Sequence, residues 1–192
     1  MSYASTEHTE FIISHPNIRG VNFTGSTAAG KIVAAICGKH MKKCQFELGG
    51  SDPFIVLDDA DIDKAVQTIV MARLLNCGQV CISPKRIIVE KNKYDEFKDK
   101  MLDLIRKTLE TAKLGPLARA DLHENLKQQV LKTIEAGAKV VFGDVDQLKE
   151  PSGVEGKGNF FSPIVLEGIT KDNPGFSWEF FGPVFALYKV EN

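Results

Sequence analysis

Nowhere does this chain run to the roughly 18 consecutive apolar residues that a membrane-spanning helix needs, so hydropathy gives no case for a buried transmembrane helix. Nor is there an excess of charge of one sign. Its 24 Lys and Arg stand against 25 Asp and Glu, a formal net charge of −1, which removes the general electrostatic argument for nucleic acid or an anionic membrane as partner. Cysteine and histidine are scarce, four of each. His8, His15, His40 and His123 are scattered, and Cys37, Cys44, Cys77 and Cys81 fall in no zinc-finger pattern, so neither a metal site nor a disulfide framework is expected. The polar start, residues 2–10, does not read as a signal peptide, and the expected location is cytoplasmic, where thiols stay reduced. Internal repeats and low-complexity tracts are also missing.

What is present is an ordinary enzyme-like composition, 192 residues of which 43% are hydrophobic, enough for one substantial core. Strand-like runs alternate with amphipathic segments. Residues 20–23 read as a short strand and 27–40 as a helix opened by the Gly25-Ser26-Thr27 turn. Residues 44–48 and 53–57 read as strands separated by Gly49-Gly50. Asp58, Asp59 and Asp61 then offer negative charge at the start of a helix over 62–76, and with no calcium-loop pattern around them a charged cap is the reading. Residues 86–90 predict a strand, and 93–112 a long helix with Phe97, Met101, Leu102, Leu104, Ile105 and Leu109 apolar. A third long helix is predicted over 121–137, ending at Gly137, followed by a strand at 139–142. Residues 143–159 predict an exposed loop, and 160–166 and 184–190 the closing strands. This alternation predicts an α/β sandwich with a largely parallel sheet.

Two short segments carry chemistry: Glu47-Leu48-Gly49-Gly50 and Gly78-Gln79-Val80-Cys81 place a carboxylate and a thiol each beside glycine. A base and a nucleophile are what acyl-forming chemistry needs. An ordinary thiol is only a few per cent thiolate at neutral pH, so a nucleophilic Cys81 requires a prepared site, and backbone amides near it are suited to meet the oxyanion of a tetrahedral adduct. Cys37, Cys44 and Cys77 read instead as small core residues, with Cys77 four positions before Cys81 and on the same face of a helix if one continues there. The Gly25-Ser26-Thr27-Ala28-Ala29-Gly30 turn between strand and helix offers free amides to a pyrophosphate, although it lacks the usual third-glycine spacing and equally suits a plain βα turn.

Taken in order, Val21-Asn22-Phe23-Thr24-Gly25-Ser26-Thr27, the two glycine segments, and Glu179-Phe180-Phe181-Gly182-Pro183-Val184 resemble the NAD(P)-dependent aldehyde dehydrogenases over nearly the entire chain. The resemblance implies a three-layer α/β catalytic domain over residues 47–192 and a remnant of a Rossmann-like cofactor domain over 1–46. It implies Cys81 as the nucleophile that forms a thiohemiacetal and then a thioester, and Glu47 as the base for hydrolysis. It places Gly25, Ser26 and Gly30 beside the pyrophosphate of NAD or NADP, Leu48 at the cofactor, Glu179 at the nicotinamide ribose and Phe181 against the nicotinamide. A small aldehyde substrate and a homo-oligomer are further implications, and with part of the family's C-terminal hairpin absent the strands at 160–166 and 184–190 are expected to present unpaired edges. Asn76-Cys77 ahead of the thiol segment, Lys85-Arg86 and Gly115-Pro116-Leu117-Ala118-Arg119-Ala120-Asp121-Leu122 look like the succinate semialdehyde dehydrogenase branch, whose substrate carboxylate calls for a cation such as Arg73, Lys85 or Arg86. Family members extend further on both sides, so the resemblance also implies an incomplete piece with weak or no activity and impaired dinucleotide binding. Two other readings stand beside it: a cysteine-dependent thioester or ester hydrolase using His123 as base, and a folded non-enzymatic module.

Overall fold

A computed structural model describes residues 5–146 and 158–191, and the chain divides into two compact units, Met1–Gly49 and Gly50–Asn192. In the first, helix α1 (Thr9–Ser14) precedes strand β1 (Gly20–Thr24), helix α2 (Thr27–Lys39) and strand β2 (Lys43–Glu47). β1 and β2 pair in parallel, with Phe23 opposite Phe46, a pairing that requires the crossover α2 supplies. Val33 and Cys37 of α2 are buried with Ile13 of α1, and Val21, Phe23, Ile36 and Phe46 pack around them. Ser26 caps α2, its Oγ accepting from the Ala29 amide at 3.2 Å. At the other end of α2, Glu10 receives Lys39 Nζ at 2.6 Å and His40 Nε2 at 3.1 Å, bonds that hold its carboxyl below the usual range. The sequence gives little sign of α1, because Ile13 is its one buried residue.

The second unit carries a five-stranded sheet in the order β3-β4-β7-β6-β5. Its strands are β3 (Pro53–Val56), β4 (Arg86–Glu90), β5 (Lys139–Phe142), β6 (Ile164–Glu167) and β7 (Val184–Val190). All neighbours pair in parallel except β5 and β6, which are antiparallel with a register shift between Val140 and Phe142. Helices α3 (Ile62–Leu74), α4 (Lys91–Thr111) and α5 (Ala120–Glu135) flank the sheet. Alternation along the strands sends side chains to opposite faces. Ile87, Val89, Val165, Phe185 and Leu187 join Ile69, Val70, Phe97, Met101 and Ile105 of α3 and α4. Ile164, Leu166, Val184 and Ala186 meet Leu126 and Val130 of α5. The result is the α/β sandwich with a mostly parallel sheet that the residue pattern predicts, in the three layers that the resemblance implies.

Three local expectations need correction. The strands expected to be unpaired edges, β6 and β7, lie inside the sheet; β3 and β5 are the edges. The strand expected from residue 160 begins only at Ile164, after Pro163, which has no N–H to give to a ladder. The helix expected over 62–76 stops at Leu74, for a reason that belongs to the site below. Asp61 caps that helix as the acidic cluster suggests, accepting from the Lys64 amide at 3.1 Å. Of the loop expected at 143–159, residues 147–157 lie outside the described residues. Among the described residues no helix is long and apolar enough to cross a membrane.

Phe185 is fully enclosed between the sheet and α3–α4. Truncation in Phe185→Ala should therefore cost about 3–5 kcal/mol, the range for a large core aromatic, measured by urea unfolding. A loss under about 1 kcal/mol would contradict the described packing.

Candidate active site around Cys81

The segment that delivers Cys81 is held in an unusual backbone conformation. Asn76 (φ 50, ψ 34) and Cys77 (φ 56, ψ 34) are left-handed, and Gly78 follows at φ 72. A left-handed residue with a side chain costs roughly 1–2 kcal/mol, so this turn needs compensating bonds. Asn76 Nδ2 donates to the Gln79 carbonyl at 3.1 Å, and Gln79 Nε2 donates back to the Asn76 carbonyl at 3.0 Å. The Gln79 amide also bridges outward, donating to the Pro116 carbonyl at 3.4 Å and accepting from the Ala118 amide at 2.9 Å. Gly78 is required for space as well as for φ, because a Cβ there would collide with the backbone of Gly182 and Pro183. The left-handed turn ends α3, buries Cys77 and leaves Cys81 exposed. The expected helical face shared by the two thiols is thus not formed.

Beneath the turn lie two cations with no exposed surface, Arg73 and Lys85. Arg73 Nε donates to the Val184 carbonyl at 3.1 Å and Nη1 to Ser83 Oγ at 2.8 Å. Its Nη2 reaches the carbonyls of Phe180, Gly182 and Val184. Burial draws this guanidinium down to about 10, with Cys77 and Glu179 pulling the other way; it stays charged at neutral pH. Lys85 Nζ donates to the carbonyls of Val80, at 3.1 Å, and Cys81, and lies 3.3 Å from Glu179 Oε1. That last approach is an ion pair without hydrogen-bond alignment, since Glu179 Oε1 is buried and makes no hydrogen bond. Both cations are engaged by the protein itself, which takes them away from a substrate carboxylate. Arg86, half-buried, donates from Nε to the Ser51 carbonyl at 2.9 Å.

Glu179 and Phe181 lie on the segment entering β7, so the second unit gathers Cys81, Lys85 and Glu179 at the amino ends of β4 and β7; Phe181, two positions after Glu179, is 38% exposed. The first unit holds the other expected site residues. Glu47 ends β2 with its side chain exposed, and its carbonyl accepts from the Gly25 amide at 3.1 Å. Gly30 sits against the Leu48 side chain, where a Cβ would clash. The amides of Thr27 and Ala28 at the start of α2 have no partner among the described residues. Ser26 Oγ already accepts from Ala29, so its hydroxyl hydrogen is what it has to offer a ligand. Free amides and a hydroxyl donor at a helix start suit an anionic group such as a pyrophosphate, while Gly25 and Gly30 are packed against Phe23 and Leu48.

His123, the base of the hydrolase reading, has Nε2 bonded to the Phe160 carbonyl at 3.1 Å and its ring edge-on to Phe161. That nitrogen is occupied by the fold. The bridging role of Gln79 and the enclosure of Arg73 and Lys85 escape sequence reasoning. The one signal for them is that polar residues with long side chains cluster just where two irregular segments enter strands.

A family model described as the aldehyde dehydrogenase family matches residues 3–192. The chain belongs to the aldehyde dehydrogenase family. It is 40% identical over 189 residues to the succinate-semialdehyde dehydrogenase [NADP(+)] of Deinococcus radiodurans, covering 95% of this chain and 38% of that protein. It is 38% identical over 190 residues to the succinate semialdehyde dehydrogenase [NAD(P)+] Sad of Escherichia coli K12, covering 96% and 40%. Among solved structures, the succinic semialdehyde dehydrogenase of Streptococcus pyogenes in complex with NADP+ is similar at a TM-score of 0.88 and 34% identity, over 99% of this chain and 42% of that one. This aldehyde dehydrogenase chain thus spans about two fifths of the length of the relatives it matches.

Within it, burial pushes the Cys77 thiol up to about 11 from an ordinary 9.0, against a smaller opposite pull from Arg73. A folded value above the unfolded one means the native state holds this proton more tightly, so the contribution is complete below about pH 9 and is lost as pH rises through about 11. Unfolding free energy from urea titrations should fall over that window, and fall less steeply in Cys77→Ala. An identical slope in the two proteins would remove Cys77 as its source.

Proposed function

We propose that this chain carries the catalytic thiol of an NAD(P)-dependent aldehyde oxidation, with Cys81 as nucleophile and Glu47 as the base that activates water. The observation that carries the reading is the exposed Cys81 on a strained turn, its backbone anchored by a buried ammonium that is paired with Glu179. In this reading the Cys81 sulfur attacks the aldehyde carbon to form a thiohemiacetal. A bound nicotinamide dinucleotide supplies the hydride acceptor. With the hydride gone, the carbon on Cys81 is a thioester, and Glu47 takes a proton from the water that cleaves it, returning a carboxylic acid and the free thiol.

The residues that would hold the dinucleotide are Gly25, Ser26, Gly30 and Leu48 around the start of α2, together with Glu179 and Phe181; residues 1–46 act as part of a cofactor domain and 47–192 as the catalytic domain. The unpartnered amides of Thr27 and Ala28 support the first group. Relatives described as NADP- and NAD(P)-dependent support either cofactor. The same relatives support a short aldehyde acid, succinate semialdehyde, as substrate, and since Arg73 and Lys85 are enclosed, Arg86 is the cation of the three left to approach its carboxylate. The hydrolase reading with His123 gains no support from a ring nitrogen already bonded to a carbonyl.

The test uses an activated ester, which needs no dinucleotide. p-Nitrophenyl acetate should acylate Cys81, seen as a burst of nitrophenolate and an acetylated Cys81 peptide. Glu47→Gln should keep the burst while slowing the following turnover by about 10²-fold, the scale of losing a general base. Equal loss of burst and turnover would give Glu47 a structural role, and acetylation at Cys44 instead of Cys81 would sink the nucleophile assignment.

A further inference from the structure

Lys85 is a charge with no exposed surface, and two of its three partners are the carbonyls of consecutive residues, Val80 and Cys81. A lysine amine buried at this depth is costly unless it is well paired, and Glu179 Oε1 at 3.3 Å supplies the countercharge. The geometry has a consequence on the other side of the backbone. In a planar trans peptide the C=O of one residue and the N–H of the next point in opposite directions, and no peptide bond in the described chain is cis. The Val80 carbonyl faces inward to Lys85 and to the Ser83 N–H, which donates to it at 3.1 Å, and this turns the Cys81 N–H away from them. Turning the Cys81 carbonyl inward does the same for the Ile82 N–H. Both amides lack a partner among the described residues, and both Cys81 and Ile82 are exposed, Ile82 at 77%.

Backbone N–H groups that are fixed and unpartnered beside a nucleophile are donors for the negative oxygen of a tetrahedral adduct. We propose that Lys85 is a positioning residue that aims the Cys81 and Ile82 amides at the oxyanion, by holding the two carbonyls behind them. The inference rests on Cys81 as the nucleophile. It assigns Lys85 a role in the reaction without contact to substrate: the ammonium holds peptide planes, and the planes present the donors. When the thiolate attacks a carbonyl carbon, the C–S bond forms as the C=O π pair moves onto oxygen, and the two amides receive that charge. With an ester the pair then returns and the alcoholate leaves; with an aldehyde the oxyanion belongs to the thiohemiacetal.

Two reactions of the same thiol separate this role from a structural one. Acylation by p-nitrophenyl acetate passes through an oxyanion, whereas alkylation by iodoacetamide is a displacement at a saturated carbon that forms none. In the 192-residue chain, Lys85→Met should slow acylation of Cys81 by roughly 10²-fold, the scale of losing an oxyanion donor, while its alkylation rate changes by less than about 3-fold. The loss should lie in the acylation rate constant and not in the half-saturating ester concentration. Lys85→Arg, which keeps a cation for the same carbonyls, should recover most of the rate. If Lys85→Met fails to fold by circular dichroism, Lys85→Gln, with a neutral donor, gives the same split at smaller size. Parallel losses in acylation and alkylation, or unchanged acylation, would overturn the proposal. Failure of the unsubstituted chain to acylate at Cys81 would overturn the nucleophile assignment first, so the two failures are distinct.

Discussion

Buried cations bonded to backbone carbonyls are the constraint on which the rest of the second unit's site depends. The segments that enter β4 and β7 are irregular, and irregular backbone leaves carbonyls without ladder partners. Arg73 collects those of Phe180, Gly182 and Val184, and Lys85 those of Val80 and Cys81. An enclosed charge would ordinarily cost several kcal/mol through lost hydration. Here the cost is offset by the backbone carbonyls that the cations meet, two of which, those of Val80 and Gly182, also accept from the Ser83 and Val184 amides. Ser83 closes the arrangement, accepting from Arg73 and donating to the Ala72 carbonyl of α3 at 2.9 Å. One helix, two strand entries and the turn that delivers Cys81 are therefore tied through Arg73, Lys85 and Ser83.

The turn ahead of Cys81 shows the same exchange between strain and support. Asn76 and Cys77 in left-handed conformations are worth keeping only if something over-determines them. The reciprocal Asn76–Gln79 bonds and the reach of Gln79 to Pro116 and Ala118 provide that. Gly78 then brings the turn against the Gly182 backbone at a separation that no side chain allows. The outcome is a sharp division between neighbouring thiols: Cys77 sinks among Leu117, Leu126, Val130 and Phe180, while Cys81 faces out.

Periodicity made most of the architecture legible. The strands at 86–90, 139–142 and 184–190 coincide with β4, β5 and β7, and the apolar positions named for the long helix, Phe97, Met101 and Ile105, are its enclosed face. Turn chemistry was legible at Ser26 and Asp61, whose short side chains cap α2 and α3. Pairing order was not, because β6 and β7 are strands of ordinary pattern whose interior position depends on which neighbours they meet. The left-handed Asn76-Cys77 step was hidden for a similar reason: nothing in the helical pattern of α3 forecasts a stop that long-range bonds from Gln79 make tolerable. Lys85 and Arg73 read from sequence as cations available to a ligand. Their enclosure follows from carbonyls contributed more than a hundred residues away in the case of Arg73, information that no local window contains.

In the proposed reading the two units reach a comparable chemical end from opposite ends of their strands. In open parallel sheets ligands usually meet the carboxyl ends, and the first unit conforms, with the Gly25–Ser26 turn leaving β1 to begin α2. The second unit instead sets Cys81 and Glu179 where chain enters β4 and β7. A strand exit followed by a helix has its amides aligned by the helix itself, reinforced at α2 by the Ser26 cap. A strand entry has no helix to do this. If its amides are to face an anion, their carbonyls must be drawn the other way, and an enclosed ammonium is a compact means of drawing two at once. The first arrangement is distributed over the many hydrogen bonds of a 13-residue helix, whereas the second rests on Lys85 and a single backbone bond from Ser83 to the Val80 carbonyl. In the proposed reading the anion site for the cofactor should therefore tolerate single substitutions better than the anion site for the reaction, even though both are built from the same peptide N–H groups.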